Sequence, residues 1–160
     1  MKVLLCKGTL VSNTADTYGR LIVTKGMSLK RFQNNPVVLY GHDANRPIGN
    51  VTKLTKKVDG NTLIEFTVRQ DMTQPEIYNG IKAGVIKGLS SQLIRLADNK
   101  AHVAPTGIYD YIPNSELMEA SVVAMGRNSD CRIDSVTESD GTNGTPNGGG
   151  DGTVSTSTNG

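Results

Sequence analysis

Apolar and polar positions alternate in short runs along most of the chain, and those runs predict strands more often than helices. Val3–Val11 reads as a strand. Residues 20–24 form a shorter one, after the turn Thr17-Tyr18-Gly19. Ser28 is placed to cap a helical turn over 29–33, which Asn34-Asn35-Pro36 ends. Val37–Tyr40 is an apolar run suited to a buried strand. Residues 48–56 and 61–69 flank Asp59-Gly60, a strong hairpin signal.

The clearest helix starts at Thr73. Thr73 and Glu76 have capping-box spacing, Pro75 falls in the first turn, and Gly84 stands where a C-terminal glycine belongs. Ile77, Ile81 and Val85 give that helix an apolar face. Strands are then expected at 85–96, 108–112 and 117–124. One helix among about seven or eight strands predicts a mainly β fold, a barrel or sandwich.

The pattern stops at Ser135. Residues 135–160 hold two valines and no Leu, Ile, Met or aromatic residue. Such a segment cannot bury enough apolar surface to offset the entropy of ordering it. The expectation is one domain over 1–134, with a disordered Gly/Ser/Thr/Asn-rich tail or linker over 135–160.

Composition narrows the class. The chain has 160 residues, 36% of them hydrophobic and only 4% aromatic, so aliphatic side chains must fill the core. Formal charge is +2 with both signs interspersed, which speaks against a specific nucleic-acid or membrane-surface partner. The start, MKVLLCKGTLVS, is too short in its apolar run for a signal peptide, and no stretch approaches the ~20 apolar residues of a membrane span. Cys6 and Cys131 lack CxxC spacing and read as buried reduced thiols. A soluble, intracellular protein is expected.

Few residues are placed to do chemistry. His42 lies in Tyr-Gly-His-Asp-Ala-Asn-Arg-Pro-Ile-Gly, on a loop leaving an apolar strand. Such a loop is held still by its scaffold, and imidazole titrates near neutrality, as a general base should. A satisfied structural histidine is the commoner outcome for residue type alone. His102, in the polar loop around Asn99 and Lys100, reads as a surface residue. Gly88-Leu89-Ser90-Ser91 lies in the strand after the helix, and its glycine permits the close backbone approach a nucleophile site needs. In Glu116-Leu117-Met118-Glu119-Ala120-Ser121-Val122-Val123, strand alternation puts Glu119, Ser121 and Val123 on one face and Met118, Ala120 and Val122 on the other. Glu119 then either sits at a solvated strand end or orients a histidine. Cys6, His42, His102 and Cys131 have no zinc-like spacing. Gly148-Gly149-Gly150 is not framed by a strand and a helix as a phosphate loop is. Lys82 or Lys87 could complete a Ser–Lys dyad, but nothing marks either as buried.

Four blocks in order resemble the prohead (capsid-maturation) serine proteases of tailed bacteriophages, a family distantly related to herpesvirus assemblin. The first runs from Leu29 through Arg31-Phe32, Asn35-Pro36-Val37-Val38-Leu39 and Gly41-His42-Asp43. The second is Pro47-Ile48-Gly49-Asn50-Val51. The third ends in Gly88-Leu89-Ser90. The fourth is the stretch 117–123 with Asn128, Asp130 and Cys131. The resemblance as a whole runs from roughly Lys2 to Ile133. Two departures stand out: Ser90 is followed by Ser91-Gln92-Leu93 where the family has small or apolar residues, and Gly126-Arg127-Asn128 replaces a common Pro-Ala-Asn.

The resemblance implies Ser90 as nucleophile, His42 as general base and Glu119 as the partner that orients the histidine, with Asp43 and Glu116 as alternatives for the acid. It implies an assemblin-like closed β-barrel with packed helices. It implies a serine endopeptidase, free of cofactor or metal, that works inside the immature capsid in the host cytoplasm. Its partners would be the major capsid protein and scaffold segments as substrates, itself in autoproteolysis, and a second copy in a homo-oligomer. Two rival readings remain: a barrel of the same fold that has lost activity and serves as a capsid- or scaffold-associated protein, and a small binding module whose tail is an assembly linker.

Overall fold

Alternation in the first strand orients the fold: Leu4, Cys6 and Leu10 point inward and are essentially unexposed, while Leu5 and Lys7 face solvent. A computed structural model describes residues 1–97 and 102–141 and the backbone of 155–159. The elements in chain order are β1 (Val3–Val11), β2 (Arg20–Ile22), β3 (Met27–Ser28), α1 (Lys30–Gln33), β4 (Val37–Tyr40), β5 (Asp43–Lys57), β6 (Thr62–Arg69), α2 (Pro75–Lys82), β7 (Gly88–Arg95), β8 (Asp110–Ile112), β9 (Ser115–Val123), β10 (Ile133–Ser139) and β11 (Ser155–Asn159). The fold is mainly β, as expected.

The principal sheet runs β10-β1-β6-β5-β4-β9. β9 is its crowded strand: it takes β3 and β4 in parallel and β7 antiparallel. β2 and β8 form a separate parallel pair, tied to the end of β7 by Asp110, which accepts from both Arg20 and Arg95. Leu4, Phe32, Val38, Leu54, Phe66, Ile81, Leu89 and Leu117 belong to one continuous apolar core. Each fully buried aliphatic side chain of this kind is worth about 1.5–3 kcal/mol.

Four expectations are corrected here. Among the described residues no closed barrel is found. β7 approaches the segment leading into β10 through one isolated bridge, Gly88 with Arg132, and through Leu89 N–H to Cys131 O and Ile133 N–H to Lys87 O. From Ser90 onward that edge of β7 has no strand partner among the described residues.

The capping box at Thr73 does not form. Pro75 takes the first helical position and forces Gln74 before it into extended backbone (ψ 138°), so Gln74 becomes the cap residue. The Thr73 hydroxyl instead donates to Arg69 O at 2.6 Å. Gly84 closes the helix as expected, at φ 77°. The helical phase ends there, so Val85 points to solvent and Ile86 packs on the core in its place.

In β9 the register with β7 slips between Gln92 and Leu93, opposite Glu119 and Leu117. Met118 is the extra residue, and it turns outward. Leu117, not Met118, therefore shares the buried face with Ala120 and Val122.

The last correction concerns the tail. β10 continues past residue 134 to Ser139, paired antiparallel with β1 from Val3 to Gly8. Its alternation holds only two apolar residues, Ile133 and Val136, because the free edge of β1 supplies the backbone partners that hold it. Residues 155–159 likewise run as β11, parallel to 53–57 of β5, on the edge that β4 leaves uncovered beyond Asn50. Residues 142–154 and 160 lie outside the described residues, as do 98–101 of the loop before His102.

Glu138 fastens β10 to the helix. It accepts from the Tyr78 hydroxyl at 2.8 Å and from Lys82 at 2.9 Å, with Lys2 at 3.6 Å. The Lys82 and Tyr78 hydrogen bonds hold its carboxyl below the ordinary glutamate range. Burial and the Glu138 hydrogen bond push the Tyr78 phenol up.

Two outcomes follow from β10. A chain ended after Asp134 is expected to unfold several degrees below one ended after Gly141 in a thermal melt, because it loses the β1 ladder and the Tyr78 anchor. A depressed carboxyl contributes stability above its unfolded-state pKa and loses it as pH falls through the folded-state value. Glu138→Gln is therefore expected to be less stable than the parent at neutral pH, the two denaturation midpoints converging as the pH drops below the carboxylate range.

Candidate active site

The pairing of Tyr40 with Asp43 leaves only Gly41 and His42 to turn the chain from β4 into β5. Both adopt left-handed backbone, at φ 65° and 62°, as a two-residue hairpin turn of type I′ requires. Gly41 does so without penalty. His42 is the one non-glycine residue among those described with positive φ, a conformation that costs about 1–2 kcal/mol. The turn is pinned at consecutive amides: Gly41 N–H donates to Val122 O at 2.9 Å and His42 N–H to Ser121 Oγ at 3.0 Å.

This turn carries the imidazole from the end of β4 across β9 toward β7. His42 Nε2 lies 2.9 Å from Ser90 Oγ on β7. His42 Nδ1 is hydrogen-bonded to Glu119 Oε1 on β9. The other carboxylate oxygen, Oε2, accepts from Ser121 Oγ at 2.9 Å. Ser90 stands directly opposite Ser121 in the ladder, and Gln92 opposite Glu119, so all four side chains share one face. Ser91, opposite Ala120, belongs to the other face. The three sequence candidates thus come together across three neighbouring strands. The imidazole and the carboxylate remain only 29% and 15% exposed.

The alternative acids are occupied elsewhere. Asp43 accepts from Asn45 N–H at 2.8 Å and pairs with Arg46 at 3.4 Å. Glu116 pairs with Arg31 at 3.8 Å. Lys82 is held by Glu138, and Lys87 is exposed. His102 stacks loosely on Tyr111, with ring centroids 6.4 Å apart. Ser121 was not singled out by sequence, although alternation already put it on the Glu119 face.

A cavity of about 470 Å³ opens beside Ser90 and His42. Leu89, Val123 and Cys131 contribute apolar wall, and Met125 and Arg127 line it from the loop after β9. That loop is fastened to the one after β1. Asn128 Nδ2 donates to Thr14 O at 3.0 Å, Thr17 N–H donates to Arg127 O, and the Arg127 guanidinium lies 4.8 Å over the Tyr18 ring. Gly88 permits the close fit at the entrance of β7, since an added Cβ would stand 2.8 Å from Val123 O. Cys131 is no rival nucleophile: burial pushes its thiol up to about 11, so it stays protonated at neutral pH. Burial holds Cys6 still higher, at about 12.

A hydroxyl, an imidazole and a carboxylate linked in this order form the arrangement that activates a serine for acyl transfer. The family model described as caudovirus prohead serine protease matches residues 12–144. The prohead protease of Escherichia phage T5 is 36% identical over 103 residues, which are 64% of this chain and 47% of that protein. The chain therefore spans about half the length of this curated relative. No solved structure matches it.

The turn predicts its own mutational signature. His42→Asn keeps a residue that tolerates left-handed backbone, whereas His42→Val places a β-branched side chain there. Urea denaturation is expected to show the Val variant less stable than the Asn variant by about 1–2 kcal/mol. Equal stabilities would place the turn in another conformation.

Proposed function

The chain belongs to the caudovirus prohead serine protease family, and we propose that it is a serine endopeptidase whose catalytic residues are Ser90, His42 and Glu119. The observation that carries this reading is the unbroken hydrogen-bonded chain from Ser90 Oγ through both imidazole nitrogens to Glu119.

In this reading Ser90 Oγ attacks the scissile carbonyl carbon while His42 Nε2 takes the hydroxyl proton. Glu119 holds the Nδ1–H tautomer and stabilises the imidazolium. The imidazolium then gives its proton to the leaving amine, and the C–N bond breaks to leave an acyl-enzyme. Water, deprotonated by the same nitrogen, attacks the ester and restores the Ser90 hydroxyl. The uncovered edge of β7 beside the cavity offers backbone hydrogen-bonding groups to an extended substrate, which would present its carbonyl to Ser90.

The substrates proposed are extensions of the major capsid protein and scaffold segments within the immature capsid, and the chain itself. Family membership supports this. No helix among the described residues is long and apolar enough to cross a membrane. A kinship with assemblin is part of the same proposal; it is what the family resemblance implies, and the mainly β fold supports it.

The test is mass spectrometry of the chain co-expressed with its capsid protein. Ser90→Ala is expected to cut processing by up to about a million-fold, and His42→Ala by a similar factor, with the double variant little worse. Ser91→Ala is expected to be far milder. Near-parental cleavage by folded Ser90→Ala would sink the mechanism and favour the inactive capsid-associated reading.

A further inference from the structure

We propose that Ser121 is a positioning residue of this site, its hydroxyl fixing both the backbone of His42 and the carboxylate of Glu119. The inference rests on the triad reading above and extends it to a residue outside the triad.

Ser121 is fully buried, with no exposed surface. A serine hydroxyl has one proton to donate and two lone pairs. The proton goes to Glu119 Oε2 at 2.9 Å, and a lone pair takes the His42 amide at 3.0 Å. Both of its partners are thus members of the proposed triad. The two bonds do different things. The first stops the Glu119 carboxylate from rotating, which leaves Oε1 aimed at Nδ1. The second holds the amide of a residue whose backbone is costly, so the imidazole keeps its reach across β9. Because Ser121 also faces Ser90 across the β7–β9 ladder, one buried hydroxyl sets the acid, the base and their distance from the nucleophile's strand. A residue that merely filled space would need neither bond.

The test is the reaction of the purified chain with a fluorophosphonate, in which Ser90 Oγ bonds to phosphorus, fluoride departs and His42 Nε2 takes the proton. The concentration dependence of labelling separates the bond-forming rate, kinact, from probe binding, KI. Ser121→Ala is expected to lower kinact about 10–100-fold, the range typical for groups that orient a reacting residue, with KI unchanged. Ser121→Cys, with its weaker donor, is expected to fall between and decides the matter should the Ala variant not fold. Combined with Glu119→Gln, Ser121→Ala is expected to cost less than it does alone, because its bond to the carboxylate is already disturbed while its bond to the His42 amide remains. A kinact equal to the parent's, or penalties that multiply in the double variant, would overturn the proposal.

Proton NMR supplies an independent arm. The His42 Nδ1–H proton, held against Glu119, is expected far downfield in the parent and in Ser90→Ala, and lost or exchange-broadened in Ser121→Ala. Should the parent not label at Ser90, the nucleophile reading fails, and this resonance alone decides Ser121: its loss supports the positioning role, its persistence overturns it.

Discussion

The hydrogen bond from the His42 amide to a hydroxyl on β9 holds a side chain where the backbone would not otherwise keep it. A two-residue hairpin turn with left-handed geometry at both positions is ordinarily built from Asn and Gly. Here its second position carries an imidazole instead, and consecutive residues of the neighbouring strand, Ser121 and Val122, hold the turn in place. The reach of His42 across β9 to Ser90, and its meeting with Glu119 on the way, depend on that turn.

β9 gains its importance from the same arrangement. It is paired along both edges, with β3 and β4 on one and β7 on the other, so its backbone has little freedom. Its inner face buries Leu117, Ala120 and Val122 in the core, and its other face presents Glu119 and Ser121. Core packing therefore positions the polar face. The bulge at Met118 makes the two demands compatible: without the extra residue, Leu117 and Ala120 could not both point inward.

The mainly β shell also leaves something open. The ladder stops short of closure at Gly88 and Arg132, and beyond that bridge the edge of β7 has no strand partner among the described residues and lies beside a cavity walled by two fastened loops. An exposed strand edge is an aggregation hazard in most proteins. Here it adjoins the Ser90 hydroxyl. On the far side, β10 covers the edge of β1 and is tied down through Glu138 to Tyr78 and Lys82.

Local signals carried much of this protein. The Asp59-Gly60 hairpin, the strand at Val37–Tyr40 and the helix between Pro75 and Gly84 were legible because turn chemistry and proline act over a few residues. His42, Ser90 and Glu119 were legible from ordered blocks resembling a known family. What the local pattern could not carry was pairing between distant segments. β10 has too few apolar residues to announce itself, and it is a strand because β1 offers it a backbone edge more than a hundred residues away in the chain. The Thr73 cap failed because Pro75 shifted the helix start, and the Met118 alternation failed because the partner strand imposed a bulge. Among Glu119, Asp43 and Glu116, the resemblance favoured Glu119, and it is the fold that sets its carboxylate beside the imidazole. Sequence determined which residues were available. Tertiary structure decided which of them met, since hydrogen bonds such as those of Ser121 form only where strands distant in sequence are brought to one face.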